Sequence, residues 1–380
     1  MNTQTGRPNN PIFNSPNKLK LGVFCTNTLQ GFTTVPELLK PTWENCLEVA
    51  RRADAAGLEA IVPIARWKGY LDGQFNHPSN EILDTFTYAA AIAQATRYSA
   101  VFATTHAPTI HPLVVAKQTS TIDAISNGRF VMNVVGGWNR REFSMFGIDL
   151  LEHEDRYTYL AQWLGIIRRL WTETEEFDLD SKYFKMRGAV SRPQPVQKPA
   201  IPIMNAGHSS SGMHFAAEHA DIGLVTLFGD NPEQWAKQIT DYKSLAKDTF
   251  GREIQVWTNA SITIRDTREQ AQDYLQHYAE DHLDREAYES FIDTLSRENN
   301  MLPGSPAYEF LKKHNKYGPG VLIAGTPEDI AGRLELLSTA GLDGLIITFI
   351  DFLDGIDRLR RDVLPLLEAS GLRQPFKADY

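Results

Sequence analysis

Strand-length apolar runs alternate with helix-length amphipathic runs about eight times between Leu19 and Leu366, and this alternation restricts the fold more than any single motif does. The strand runs are LKLGVFCT (19–26), AIVPIA (60–65), SAVFATT (99–105), RFVMNVV (129–135), PIMNAG (202–207), IGLVTL (222–227), QVWTNASITI (255–264) and GLIITFI (344–350). Between them lie segments of helical period such as TWENCLEVARRADAAGLE (42–59), EILDTFTYAAAIAQAT (81–96) and RYTYLAQWLGIIRRLWTE (156–173). Strands separated by helices pair in parallel, and about eight such units match a (β/α)8 barrel of roughly 250 residues plus insertions. The sequence therefore predicts an α/β chain: a single TIM barrel over 19–370, a flexible polar arm over 1–18, a helical insertion near 267–318 and a short tail over 371–380. An open, doubly wound sheet is the competing arrangement.

Charge and cysteine content narrow the partners. A formal net charge of -9 with no clustered Lys and Arg argues against nucleic acid or an anionic membrane as the main partner. Cys25 and Cys46 suggest neither a disulfide framework nor a thiolate metal site, which fits a reducing cytoplasm. The first twenty residues have no apolar core of a signal peptide, and no later run has the length of a membrane span. The expected partner is a small molecule.

In a barrel, chemistry collects on the loops that follow the C-terminal ends of the strands. NVVGGWNRREF (133–143) would be the loop after the fourth strand, where Gly136 and Gly137 let backbone approach a ligand closely or simply form a turn that Trp138 caps. PIMNAGHSSSGMHFAAEHA (202–220) reads as a strand, a small-residue loop and a helix, so free N–H groups and serine hydroxyls converge in an anion site. Ser209, Ser210 or Ser211 can equally be a helix N-cap, and the two roles are compatible. His106, His111 and His153 lack metal-ligand spacing, and no metal is predicted. No G-x-G-x-x-G unit for a nicotinamide occurs.

Three longer segments, SNGRFVMNVVGGWNRREFSMFGIDLLEHEDRY (126–157), RPQPVQKPAIPIMNAGHSSSG (192–212) and GTPEDIAGRLELLSTAGLDGLIITFIDF (325–352), together resemble the bacterial-luciferase-like flavin monooxygenases. Within that family NVVGGW…EF, EHEDRY and TFIDFLDGI most resemble the branch containing pyrimidine monooxygenase and dimethyl sulfone monooxygenase. The resemblance implies a two-component enzyme that takes reduced flavin mononucleotide (FMN) from a separate NAD(P)H:flavin reductase. With O2 it would oxygenate or cleave a small organic substrate, a pyrimidine or other cyclic amide or a sulfone, through a flavin (hydro)peroxide, and the protein would be a homodimer or homotetramer. A deazaflavin (F420)-dependent oxidoreductase on the same barrel and a non-catalytic flavin-binding paralogue are the alternatives.

Carried over residue by residue, the resemblance nominates Thr104 and Asn133 beside the reactive ring edge. It nominates Ala65, Arg66, Asn133, Glu142, Arg156, Tyr157 and Ser209 as FMN contacts, with Ser209 at the phosphate and Arg156 adding a cation. Competing roles are barrel packing for Thr104, with Thr105 taking its place if the strand register shifts, a solvated rim charge for Arg66, backbone capping for Asn133, and pairing of Arg156 with Glu154 or Asp155. His208 would only line the site. Alkanesulfonate monooxygenases of the family place an arginine and a histidine where this chain has Asn259 and Ser261, neither of which supplies a cation for a sulfonate. The 267–318 segment resembles the insertion that covers the site in this family, and as a bare helical hairpin it would serve equally as an oligomer contact.

Overall fold

The computed structural model describes residues 6–207, 209–227, 231–298 and 301–377. Four strands come first: β1 (Lys20–Phe24), β2 (Ala60–Val62), β3 (Ala100–His106) and β4 (Phe130–Val135). An antiparallel hairpin, β5 (Phe177–Asp180) and β6 (Lys185–Ala189), interrupts the alternation. Then follow β7 (Ile203–Asn205), β8 (Ile222–Val225), β9 (Gln255–Ile264), β10 (Val321–Gly325) and β11 (Gly344–Thr348). Parallel pairing runs from β1 through β2, β3, β4, β7, β8, β9 and β11 and back to β1, closing an eight-stranded barrel from the eight runs the sequence marks. The open sheet is excluded by that closure. β9 is long enough to pair with β8 through Gln255–Thr258 and then with β10 through Ala260–Ile264.

Because strand residues alternate between faces, Val62, Phe102, Val131, Met204, Trp257 and Ile346 share one buried cluster inside the barrel. Val101, Ala103, Phe130, Met132 and Val134 belong to the layer between strands and helices. This parity sends Thr104 and Asn133 inward at the C-terminal mouth.

The arm over 1–18 departs from expectation. Residues 1–5 lie outside the described residues, but 6–18 cross the N-terminal end of the barrel. A short helix, Pro11–Asn14, inserts Ile12 fully buried into the interior cluster. It is pinned by Gln255 Nε2 donating to the Ile12 carbonyl at 3.0 Å, by Asn10 Nδ2 donating to Gln197 Oε1 at 3.0 Å and by an Arg7–Asp221 pair at 3.1 Å. The polar composition that reads as flexible supplies the hydrogen bonds of a plug, and Ile12 fills an apolar barrel end that water would otherwise reach. The tail packs against the same end: Arg373 pairs with buried Glu59 at 2.9 Å, and the rings of Phe376 and Tyr98 lie 4.6 Å apart.

Between β9 and β10 the insertion forms helices Arg268–Gln276, Arg285–Glu298 and Pro306–His314. It leans on the loops after β1 and β2, where Phe32 contacts Tyr70 at 4.8 Å and Phe291 at 5.0 Å, His77 Nε2 meets Asp284 at 2.9 Å, and Ser290 donates to the Tyr70 carbonyl at 2.6 Å. A cavity of about 740 Å³ lies among these loops, with Asp284 and Ala287 of the insertion on its wall. Among the described residues no helix is long and apolar enough to cross a membrane.

Candidate active site

The floor of the mouth is set by strand register. Thr104 on β3 lies opposite Asn133 on β4, and Asn133 Nδ2 donates to Thr104 Oγ1 at 3.1 Å. Thr104 in turn donates its hydroxyl to the Pro63 carbonyl at 2.7 Å, so both side chains have fixed orientations. Asn133 is buried, and its Oδ1 has no hydrogen-bond partner. A buried amide oxygen left unpaired is costly, so it marks a place where a donor is wanted. Thr105 borders, with Thr104, a second and smaller cavity of about 240 Å³, but its parity turns it away from Asn133.

Above this floor the loop after β4 turns at Gly137, whose φ of +84° and position 2.1 Å from the Phe143 ring, measured from where a Cβ would sit, both require glycine. Asn139 caps the helix Arg140–Met145, which brings Glu142 back to the strand ends. Glu142 Oε1 accepts from the Trp67 backbone N–H at 3.2 Å, while Oε2 faces His106 Nδ1 at 3.6 Å, and both of these facing atoms are buried without a hydrogen bond. Burial pushes the His106 imidazole down to about 4 and pushes the Glu142 carboxyl up. His106 is therefore neutral near pH 7. Its role was not assigned from sequence, although the i, i+2 spacing from Thr104 places both on the inward face of β3.

Arg66 is neither a solvated rim charge nor a free guanidinium. It stacks over Tyr70, bonds the Tyr70 hydroxyl, and donates to Thr28 Oγ1 at 2.6 Å and the Ser79 carbonyl at 3.1 Å, leaving Nε buried and unpaired. Ala65 precedes it on the wall of a cavity of about 240 Å³ that also touches Trp67, Thr104 and His106. Trp67 and Phe146 stack edge-on at 5.0 Å over that cavity.

The anion end is built around two glycines. Gly207 and Gly212 face each other so closely that a Cβ on either would fall within 2.7 Å of the other's backbone, and a Cβ on Gly212 would lie 2.5 Å from Tyr157 Oη. Asn205 shapes this loop by accepting from the Gly207 N–H at 3.0 Å. Ser209 is the N-cap of helix Ser210–His219, accepting from the Gly212 N–H at 3.1 Å, and its Oγ lies 3.4 Å from Tyr157 Oη. A helix N-terminus with its first N–H groups and a serine hydroxyl turned to one side is chemistry for an anion. Arg156 donates to the Gly137 carbonyl at 3.0 Å and is not paired with Asp155, whose carboxylate bonds Lys182 at 2.6 Å and Tyr183 at 3.0 Å. Its guanidinium thus braces the loop that separates the two ends. His208 and the side chain of Glu154 lie outside the described residues. His111 is a helix cap, accepting from the Leu113 N–H at 3.2 Å.

The nominated residues accordingly form two groups on one mouth: Ala65, Arg66, Thr104, Asn133 and Glu142 at one end, Tyr157 and Ser209 at the other, with Arg156 between. Unpaired Asn133 Oδ1 suits a ring N–H, and the Ser209-capped helix N-terminus beside Tyr157 suits a phosphate, so these residues fit FMN. Asn259 and Ser261 share one face of β9, and Ser261 donates to the Pro319 carbonyl at 3.0 Å.

Residues 19–344 match the family model described as luciferase-like monooxygenase. The pyrimidine monooxygenase RutA of Acinetobacter baylyi is 29% identical over 370 residues, covering 95% of this chain and 97% of that protein. Two crystal structures share the fold: the long-chain alkane monooxygenase LadA, at TM-score 0.81 and 19% identity over 95% of this chain and 93% of that one, and DmoA from Hyphomicrobium sulfonivorans, at TM-score 0.81 and 18% identity over 95% and 90%.

Proposed function

We propose that this chain, which belongs to the luciferase-like monooxygenase family, binds reduced FMN delivered by a separate reductase and uses O2 to oxygenate a small neutral organic molecule. The observation that carries the reading is the register-locked Thr104–Asn133 pair, with an unpaired Asn133 Oδ1, on a mouth whose far end is the helix N-terminus capped by Ser209. Bound reduced FMN supplies the two electrons with which one oxygen atom of O2 enters product and the other leaves as water. Ser209, the other N–H groups in the first turn of its helix and Tyr157 would hold the phosphate. Asn133 Oδ1 would accept from the ring, Glu142 and the Arg66 segment would orient its other edge, and Thr104, whose own hydroxyl is given to the Pro63 carbonyl, would aim the second N–H of the Asn133 amide at developing negative charge on oxygen. Trp67, Phe146 and the insertion exclude water.

A separate reductase is part of the proposal because the sequence has no G-x-G-x-x-G unit for a nicotinamide. The test is mass spectrometry of products formed with a flavin reductase, NADH and a panel of uracil, dimethyl sulfone and alkanesulfonates. An oxygenated product that requires all components supports the reading. Rapid NADH oxidation by the chain alone, or a purified protein that prefers deazaflavin to FMN, overturns it.

A further inference from the structure

We propose that His106 and Glu142 form a proton relay into the mouth: Glu142 Oε2 passes a proton to His106 Nδ1 while His106 Nε2 gives its own to the oxygen atom that leaves as water. The inference rests on the oxygenase reading for the acceptor of that proton and on the geometry of the pair for its source. His106 Nδ1 and Glu142 Oε2 face each other at 3.6 Å, both buried, and neither makes a hydrogen bond elsewhere. The second ring nitrogen, Nε2, is not enclosed with them and opens on the cavity of about 240 Å³ that Thr104 also lines. His106 stands two residues beyond Thr104 on the inward face of β3, about 6–7 Å along the strand, so its ring and the Asn133 amide address the same end of the mouth.

An imidazole placed this way passes a proton without becoming a cation. With the carboxyl protonated, Oε2–H points at Nδ1 and the ring carries its N–H on Nε2. As Nε2–H breaks and a new O–H bond forms, Oε2–H breaks and Nδ1–H forms. The ring stays neutral, the pair ends one proton poorer as the Glu142 carboxylate, and no electron moves. Oε1 keeps its bond to the Trp67 N–H throughout, which leaves Oε2 to carry the proton. Water entering the open mouth restores the proton through Nε2 by the reverse exchange. Burial favours this route, since it holds the imidazole neutral and raises the carboxyl. The Trp67 N–H, the Arg66 guanidinium, the Lys68 N–H and the Asn139 amide pull Glu142 toward the carboxylate, so the proton can also be released. Tyr70, bonded to that guanidinium, is the other titratable group beside Glu142, and the Phe143 ring flanks His106 at 6.2 Å.

Two measurements test this. In FMN-free wild type, nitrogen NMR of isotopically labelled imidazoles, assigned with His106→Gln, is followed from about pH 5 to about pH 9. The His106 ring should stay neutral while its proton moves from Nε2 to Nδ1, and the carboxylic-acid infrared band that Glu142→Gln removes should fade over the same range. The second measurement is single-turnover product formation with a substrate from the panel. Glu142→Gln still accepts from the Trp67 N–H and still donates toward Nδ1, but it cannot release a proton. It should bind FMN as wild type does and form product about 10²-fold more slowly. Wild-type product formation should fall as pH rises through the titration of the pair, a fall that Glu142→Gln and His106→Gln both lose. A ring that keeps one tautomer or becomes a cation across that range overturns the relay, as do wild-type rates in both variants. The NMR measurement uses neither flavin nor substrate, so its failure sinks the relay alone, whereas a tautomer switch in a protein that oxygenates nothing sinks the oxygenase reading alone.

Discussion

Replacing Thr104 with valine keeps the shape of the side chain and removes its hydroxyl, which separates chemistry from cofactor binding. In the structure that hydroxyl has two partners, the Pro63 carbonyl at 2.7 Å and the Asn133 amide at 3.1 Å. Each buried group left unpaired costs about 1–3 kcal/mol of stability, which a domain with the usual margin of about 5–15 kcal/mol survives. Losing the hydrogen bond that aims the Asn133 amide at developing charge raises the barrier by up to about 2.7–4 kcal/mol, a factor of roughly 10²–10³. Thr104→Val should therefore bind FMN nearly as wild type does, because no phosphate contact changes, yet form oxygenated product more slowly by that factor. Reduced flavin should still be oxidised, with its electrons appearing as hydrogen peroxide. Thr104→Ser keeps both hydrogen bonds and should restore coupling. The assay is single-turnover oxidation of protein-bound reduced FMN with substrate present, following product and peroxide separately. Wild-type coupling in Thr104→Val, or a Thr104→Ser variant as defective as valine, would show that Thr104 only packs the barrel and would move attention to Thr105 and the GGWNRREF loop.

Ser209→Asp should weaken FMN binding far more than Ser211→Asp, by on the order of a few kcal/mol, because it sets a carboxylate against the phosphate; equal losses by fluorescence titration would mean that Ser209 is not at the phosphate. Gly212→Ala places a Cβ 2.5 Å from Tyr157 Oη and 2.7 Å from Gly207, so it should abolish measurable FMN binding while circular dichroism still reports a folded barrel. His106 is held near 4 against an unfolded value of about 6.5, so the unfolded chain binds the extra proton first and stability falls as pH drops from about 6.5 to about 4. The loss approaches about 3 kcal/mol, and urea denaturation across this window should show it flattened in His106→Asn; Glu142, whose carboxyl burial raises, acts in the opposite sense in both proteins, so the difference between them is the quantity to read.

The sequence by itself determined the barrel and the end of it that carries chemistry. Alternation of apolar runs with amphipathic helices reports which segments are buried and in what order, and all eight barrel strands were legible that way. β10 and the β5–β6 hairpin were not: VLIAG is short and follows a Gly-Pro-Gly turn, and the alternating polar FDLD and KMRGA runs carry little apolar signal. The sequence also drew Thr104, Asn133 and Ser209 toward one mouth through resemblance to a family. Only the tertiary structure decided what those residues touch, because hydrogen-bond partners across strands depend on register and closure, which periodicity does not encode. Register set Thr104 against Asn133, the turn and short helix after β4 brought Glu142 to His106, and packing of the loop after β2 tied up Arg66. The N-terminal arm shows the same division: its polar residues look unstructured along the chain, and they become a plug only because the closed barrel presents an apolar opening that Ile12 fills.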